Sequence, residues 1–316
     1  MVIHMTLRDF LLEWLDGQRL VVRQSTAEAL TVYITRHIIP FFPEDLRLSD
    51  LTPHMCQSYA REKLREGRAD GSGGLSPVSV KKHISVLRQA LGEAVRLELV
   101  SSNAAQYVKL PRQRGKPYRA VFLTAEEGKR VTEAFRGSQL YPLVVITLYY
   151  GLRRSEVLGL RWSAVDFDRN TLTVCHTVVK NLTVTAQDCT KSESSHRTYG
   201  LLPDVREMLS DRHICPVNGE YIFHRPDGSP LRPDSLTRSF QRGLRRAGLP
   251  VMRFHDLRHS TASILFDLGW SLEDVKNWLG HADIETTSNI YLHYSSDRRI
   301  LLGNSLTGLF TEIKKP

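Results

Sequence analysis

Four separated stretches beyond residue 150 hold side chains suited to chemistry on a phosphate ester. The first is Gly151-Leu152-Arg153-Arg154-Ser155-Glu156, which leads into a helix. Arg153 offers a planar fork for a phosphate, and Glu156, one helical turn on, can hold that fork in place. Taken alone, the pair also fits an ordinary surface ion pair. The second is Thr190-Lys191-Ser192, on a β-hairpin, followed by Ser194-Ser195-His196-Arg197. Lys191 is either a solvated cation or, folded over a reactive phosphate, a proton donor to a leaving alkoxide. The third is His255-Asp256-Leu257-Arg258-His259, where an imidazole and a guanidinium three positions apart share one helical face. It is not H-E-x-x-H, which removes a zinc-protease reading. The fourth is Leu279-Gly280-His281, followed ten residues later by Tyr291 within Thr286-Thr287-Ser288-Asn289-Ile290-Tyr291-Leu292-His293. Tyr291 is an oxygen nucleophile or a half-buried helix tyrosine, and residue type alone does not separate the two.

Together these groups meet one set of needs. Phosphodiester exchange requires a nucleophile, positive charge on the non-bridging oxygens, and a proton for the leaving oxygen. Tyr291, the pair Arg153 and Arg258, and Lys191 would fill those roles. A phenol with a pKa of about 10 is a poor nucleophile at neutral pH. His255 would take its proton, and two nearby arginines would favour the phenolate. Guanidinium groups would supply the charge, so the chemistry calls for no metal and no cofactor.

These residues need a scaffold, and the pattern predicts one that is mainly α, in two domains. Residues 1–110 read as a small helical unit. Thr6 and Asp9 have capping-box spacing ahead of Leu7, Phe10, Leu11, Trp14 and Leu15; Ser25 and Glu28 repeat it before Leu30, and Pro40 ends that run. Thr52-Pro53 and Ser76-Pro77 open two more helices, with a glycine-rich loop from Arg68 to Leu75 between them. In the last, Val80, Ile84, Leu87, Leu91 and Ala94 form an apolar stripe, and Lys81, Lys82, Arg88 and Arg96 fall on the polar surface, where Lys81, Lys82 and Arg88 are expected to contact DNA. Residues 111–119 form a basic linker: from Lys109 to Arg119 there are five basic side chains, two prolines and a glycine. Arg112, Arg114, Lys116 and Arg119 suit either contact with phosphates or a solvated loop.

Residues 120–316 predict an α+β domain with a small antiparallel sheet. Thr124 and Glu127 cap a helix, and Tyr141 to Leu160 is helical by composition. Val165, Phe167, Leu172 and Val174 alternate around Asp168-Arg169-Asn170 as a hairpin, with a third strand near Arg197 to Leu201. Helices follow at Pro233 to Arg246, Asp256 to Leu268, and from Ser271/Asp274 to Leu279. A last apolar helix carries Ile300, Leu301, Leu302, Leu306, Leu309 and Phe310, and docks on its own domain or on a neighbouring subunit.

Composition narrows the class. The 316 residues carry 43 Lys plus Arg against 34 Asp plus Glu, a net charge of +9 and a pI near 9.5, a balance suited to a polyphosphate partner. Cys56, Cys175, Cys189 and Cys215 form no C-x-x-C pair, and Cys175, His176, Cys189 and His196 fit no zinc module, so no metal site is expected. Such cysteines suit a reducing cytoplasm. Arg8, Asp9 and Glu13 interrupt the first apolar residues, which argues against a secretory leader. The uncharged stretch Gln139 to Leu152 is too short to span a bilayer, so no membrane partner is expected.

The ordered set GLRRSE, TKS, HDLRHS, LGH and TTSNIYLH resembles the tyrosine recombinase family, which includes phage integrases, conjugative-transposon integrases and Xer-type recombinases. The likeness covers essentially the whole chain, since the N-terminal unit resembles the family's core-binding, SAM-like domain. It implies an active-site set of Arg153, Lys191, His255, Arg258 and His281, with Tyr291 as nucleophile and Glu156 supporting the first arginine. Tyr294 fits the spacing from His281 less well. The implied partners are double-stranded DNA and further copies of the chain, as a tetramer on DNA, with room for an accessory or excision factor. The implied setting is the bacterial cytoplasm, at the nucleoid. Many phage integrases carry an additional N-terminal domain for arm-type sites; helical patterning here begins by Thr6, so none is expected within this sequence, either because the protein has two domains, as Xer-type recombinases do, or because the sequence is trimmed. Three other readings compete. A type IB topoisomerase shares the chemistry but not the core-binding unit. A non-catalytic DNA-binding or accessory protein leaves the convergent residues unexplained. A metal-dependent nuclease needs clustered carboxylates that the sequence lacks.

Overall fold

The computed structural model describes residues 5–68, 70–111, 120–180, 184–187, 196–214 and 219–280. The chain divides into two compact units, Met1–Pro117 and Tyr118–Pro316.

The first unit is helical. Helix α1 (Leu7–Val21) starts where Thr6 accepts the Asp9 N–H, and it buries Leu7, Phe10, Leu11, Trp14 and Leu15 on one face. Burying side chains of that size stabilises by roughly 1.5–3 kcal/mol each. Helix α2 (Gln24–Val32) runs into a π turn at Tyr33–Ile38 and a 3-10 turn at Ile39–Phe41 that contains Pro40. Helix α3 (Pro53–Glu66) and helix α4 (Pro77–Arg96) follow, capped by Thr52 and Ser76 with proline in the first turn. The stripe Val80, Ile84, Leu87, Leu91 and Ala94 is buried as its spacing predicts.

Two readings of this unit change. The second helix starts at Gln24, because Arg23 takes the extended N-cap conformation and its carbonyl receives the N–H groups of Thr26 and Ala27 at 2.8 and 3.0 Å. Ser25 therefore lies inside the first turn. Arg88 is half-buried rather than on the open surface. Its Nε donates to the Ala105 carbonyl at 2.9 Å and its Nη2 to the Val108 carbonyl at 3.0 Å, fastening the segment after α4 to that helix.

The second unit packs helices around a small sheet. Helices α5 (Ala125–Ala134), α6 (Tyr141–Tyr150) and α7 (Arg154–Leu158) precede strands β1 (Val165–Asp166) and β2 (Thr171–Val174). A hairpin, β3 (Thr177–Lys180) with β4 (Val184–Gln187), separates these from β5 (Arg197–Gly200). The three-stranded sheet has the order β1-β2-β5, all antiparallel, with Val165 opposite Leu172 and Leu172 opposite Tyr199. The β1–β2 turn holds Asn170 at φ 56°, a left-handed position that Asn tolerates, and the Asp166 carboxylate accepts the N–H groups of Asp168 and Arg169. The sequence reading put a β-hairpin at Lys191 without bounds, and β3–β4 lies just before that residue. Helices α8 (Pro203–Ile214), α9 (Pro233–Arg246), α10 (Asp256–Asp267) and α11 (Leu272–Leu279) complete the described part.

The stretch from Tyr141 to Leu160, helical by composition, forms two helices, the second entered through Gly151 to Arg153. Gly151 caps α6 at φ 61°, and α7 begins three residues later. A Cβ at Gly151 would lie 2.2 Å from Leu279 Cδ2 and 3.3 Å from Thr261 Cγ2, so the break lets α10 and α11 close on the end of α6. Among the described residues, no helix is long and apolar enough to cross a membrane.

Candidate functional site

The break at Gly151 builds the site. Arg153 sits in the extended N-cap position of α7, and the Glu156 carboxylate turns back to accept its backbone N–H at 2.7 Å, one half of a capping box. The same carboxylate takes Arg153 Nη1 at 2.6 Å. From β5, Arg197 reaches both oxygens, Nη2 to Oε2 at 2.9 Å and Nη1 to Oε1 at 3.3 Å. From α10, Arg258 brings Nη1 to within 3.8 Å of Oε2, while that nitrogen donates to the Gly151 carbonyl at 2.7 Å. One buried carboxylate thus gathers three guanidiniums from three elements.

Electrostatics decide what this cluster can do. Three cations against one anion leave a formal charge of +2 among the four side chains, and Glu156 is only 1% exposed. Burial by itself would raise the Glu156 pKa, but Arg197, then Arg153 and Arg258, hold it down at about 2. Burial, followed by the charge of Arg153, lowers the Arg258 pKa to about 9, which leaves it a cation at neutral pH. Charge surplus in a desolvated setting favours a bound anion. Arg153 has the most open side chain of the three, at 33% against 9% for Arg197 and 2% for Arg258.

His255 lies at the N-cap of α10, three positions before Arg258, and its ring meets His259 edge to face at 4.8 Å. One part of His255 is in solvent. Packing around the rest of the ring, then the neighbouring His259 and Arg258, lowers its pKa, and solvent screening moderates that shift. The direction keeps the imidazole neutral at pH 7, the form that can accept a proton. Asp256, fully buried beside it, accepts the Arg253 N–H at 2.8 Å and fixes the start of α10.

The end of α11 is tied to the same cluster. Arg153 Nη2 donates to the Gly280 carbonyl at 2.8 Å. Arg197 Nε donates to the Tyr199 hydroxyl, which donates to the Trp278 carbonyl. Gly280 ends α11 at φ 67°.

Of the expected site residues, Arg153, Glu156 and Arg258 converge, and His255 shares the first turn of α10 with Arg258. Lys191, His281 and Tyr291 lie outside the described residues, as do Arg112, Arg114, Lys116, Arg119, Tyr294 and the apolar segment 300–310. Lys81 and Lys82 are exposed on α4. Two features escaped the sequence reading. Arg197 and Tyr199 belong to the cluster, and α9 carries Arg238, Arg242, Arg245 and Arg246, all exposed, with Asp234 its single acid. The arginine count of α9 alone was a usable signal. His176, weighed as a metal ligand with Cys175, lies with Nε2 2.9 Å from Arg161 Nη2 and 3.1 Å from the Tyr221 hydroxyl, a setting with a cation already in place.

Known proteins resemble this chain in sequence and in fold. The pattern of the Phage integrase family matches residues 121–298, and that of the phage integrase N-terminal SAM-like domain matches residues 6–64. The tyrosine recombinase XerC of Brucella melitensis biotype 1 is 28% identical over 293 residues, covering 86% of this chain and 83% of that protein. A tyrosine recombinase XerC-like protein of Caldanaerobacter subterraneus subsp. tengcongensis is 29% identical over 209 residues, covering 58% of this chain; the chain spans about half of that relative, 53% of its length. Among solved structures, the Tn1549 transposon integrase in complex with a circular intermediate DNA shares the fold, with a TM-score of 0.75 at 19% identity over 96% of this chain and all of that one.

Proposed function

The chain belongs to the phage integrase family, and from that premise we propose that it is a tyrosine-type site-specific DNA recombinase that integrates or excises a mobile element. The observation that carries the reading is the Glu156 cluster, which holds Arg153 and Arg258 together with a surplus of positive charge at the end of α11. A scissile phosphate is the anion such a site fits.

In the proposed reaction the Tyr291 phenol attacks the phosphorus of one strand. Its proton passes to His255, a 3′-phosphotyrosyl bond forms, and the bond to the 5′ oxygen breaks with a proton from Lys191. Arg153 and Arg258 balance charge on the non-bridging oxygens, and His281 is the remaining member of the expected set. The phosphotyrosyl bond keeps the energy of the broken one, so a 5′-hydroxyl from a second duplex reverses the step without ATP. Exchange of two duplexes involves four strands and four tyrosines, hence a tetramer on DNA, with an accessory DNA-bending or excision factor as a further partner. Residues 1–110 serve as the core-type DNA-binding domain, 111–119 as a basic linker on the phosphates, and 120–316 as the catalytic domain, working in the bacterial cytoplasm. Likeness to XerC supports a second reading, an Xer-type chromosome-resolution recombinase with the same chemistry.

Covalent trapping tests the proposal. Nicked suicide duplexes spanning the boundaries of the DNA segment that encodes the chain are incubated in EDTA and resolved on denaturing gels. The wild type should give a protein–DNA adduct, and Tyr291→Phe should bind the duplex yet give none. An adduct from Tyr291→Phe would move the nucleophile elsewhere, with Tyr294 the first suspect. Tight binding without an adduct in the wild type would instead favour a non-catalytic DNA-binding role.

A further inference from the structure

Phosphate chemistry asks for two arginines, and the cluster holds a third. Arg197 lies 41 positions from Glu156, and its side chain is 9% exposed. It grips both carboxylate oxygens with one edge of the guanidinium and gives Nε to the Tyr199 hydroxyl. That hydroxyl continues to the Trp278 carbonyl. On the other side of the carboxylate, Arg153 runs through Nη2 to the Gly280 carbonyl at 2.8 Å. Two paths therefore leave Glu156 and both end on the last turn of α11. His281 is the next residue, and Tyr291 follows on the same stretch of chain.

A guanidinium is a rigid planar fork, so one held on two edges cannot turn without breaking a contact. Arg197 is held in that way, and Glu156 passes the constraint on to Arg153. We propose that Arg197 is a positioning residue for strand cleavage: it fixes Glu156 and through it Arg153, and with Tyr199 it fixes the end of α11 from which the nucleophile segment departs. The proposal rests on the recombinase reading above. Charge points the same way. The groups facing Glu156 are Arg153 on α7, Arg197 and Tyr199 on β5, and Arg258 on α10, and among the charges that hold the Glu156 pKa down Arg197 is the largest. Loss of Arg197 should move that titration upward.

Single-turnover adduct formation on the same nicked duplexes, beside DNA affinity, tests it in wild type, Arg197→Gln, Arg197→Lys and Tyr199→Phe. Arg197→Gln should keep its Kd within about twofold while adduct formation slows by about 10–100-fold, the range for loss of an orienting partner. The acid limb of its rate profile should shift to higher pH, and Arg197→Lys should recover part of the rate. Tyr199→Phe, which loses only a hydroxyl, should slow by about 3–10-fold. A wild-type rate and profile in Arg197→Gln would overturn the proposal. So would a loss of affinity as large as the loss of rate with the profile unmoved, because that marks a general structural or DNA-contacting role. Should Arg197→Gln fail to fold, Tyr199→Phe decides, and a wild-type rate there overturns it. No adduct from the wild type sinks the recombinase reading and this proposal together; an adduct in the wild type with unaltered variants sinks this proposal alone.

Discussion

At the scale of single residues, Glu156 is the group on which the site depends. It is 1% exposed and faces three guanidiniums, so Glu156→Ala would leave buried cations without their counter-charge, at a cost of about 3–5 kcal/mol. Its pH dependence has a definite sign. The folded-state pKa is about 2 against an ordinary 4.5, so its contribution is fully present above about pH 4.5 and fades as pH falls from there towards 2. A shift of that size is worth on the order of 3 kcal/mol. Urea unfolding followed by tryptophan fluorescence should show wild-type stability falling more steeply below pH 5 than that of Glu156→Gln; parallel curves would show that the carboxylate is not the titrating group. Arg153 with Glu156, and His255 with Arg258, were legible in the sequence because residues three apart meet on a helix. Arg197 was not, because a partner 41 positions away leaves no spacing to read.

At the scale of elements, the helix starts were legible wherever a hydroxyl stood at the cap. Thr6, Thr52, Ser76, Thr124 and Ser271 all accept the backbone N–H three residues on. The failures have a common cause in backbone conformation. Arg23 caps α2 by its extended backbone alone, and Gly151 breaks α6 from α7 to satisfy packing from α10 and α11, which no local window contains. The π turn at Tyr33–Ile38 is a further irregularity of that kind, and it borders a buried polar cluster. There His83 of α4, 2% exposed, pairs its Nδ1 with the Tyr59 hydroxyl of α3 at 2.9 Å, and the His37 ring lies 4.7 Å away. Burial, then His37 and Lys63, lowers the His83 pKa to about 4. The neutral ring therefore stabilises the fold above about pH 6.5, and that contribution is lost as pH falls from there towards 4. Between pH 7 and pH 5 the wild type should lose about 2 kcal/mol that His83→Gln does not lose. Equal losses by the two proteins in urea titrations at both pH values would rule the cluster out as the acid-sensitive joint.

At the scale of the whole molecule, a net charge of +9 becomes informative only once its cations are sorted by what they touch. Arg88 belongs to the fold, since two of its nitrogens hold the Ala105 and Val108 carbonyls. Lys81 and Lys82 on α4, and Arg238, Arg242, Arg245 and Arg246 on α9, are exposed and available to a polyanion. Counterion release then gives each group a separate signature, because every phosphate contact removed lowers the slope of log affinity against log salt by about 1. Filter-binding titrations between about 50 and 200 mM salt should find the wild type steeply salt-dependent. Lys81→Ala with Lys82→Ala, and Arg238→Ala with Arg242→Ala, should each lower that slope by about 2 while stability stays within about 0.5 kcal/mol. Arg88→Ala should do the reverse, costing about 1–3 kcal/mol with the slope unchanged. A flat salt response in the wild type would remove phosphate contacts as the source of the charge surplus. A slope lowered only by Arg88→Ala would mean that the carbonyl-bound guanidinium, and not the exposed faces, meets the DNA.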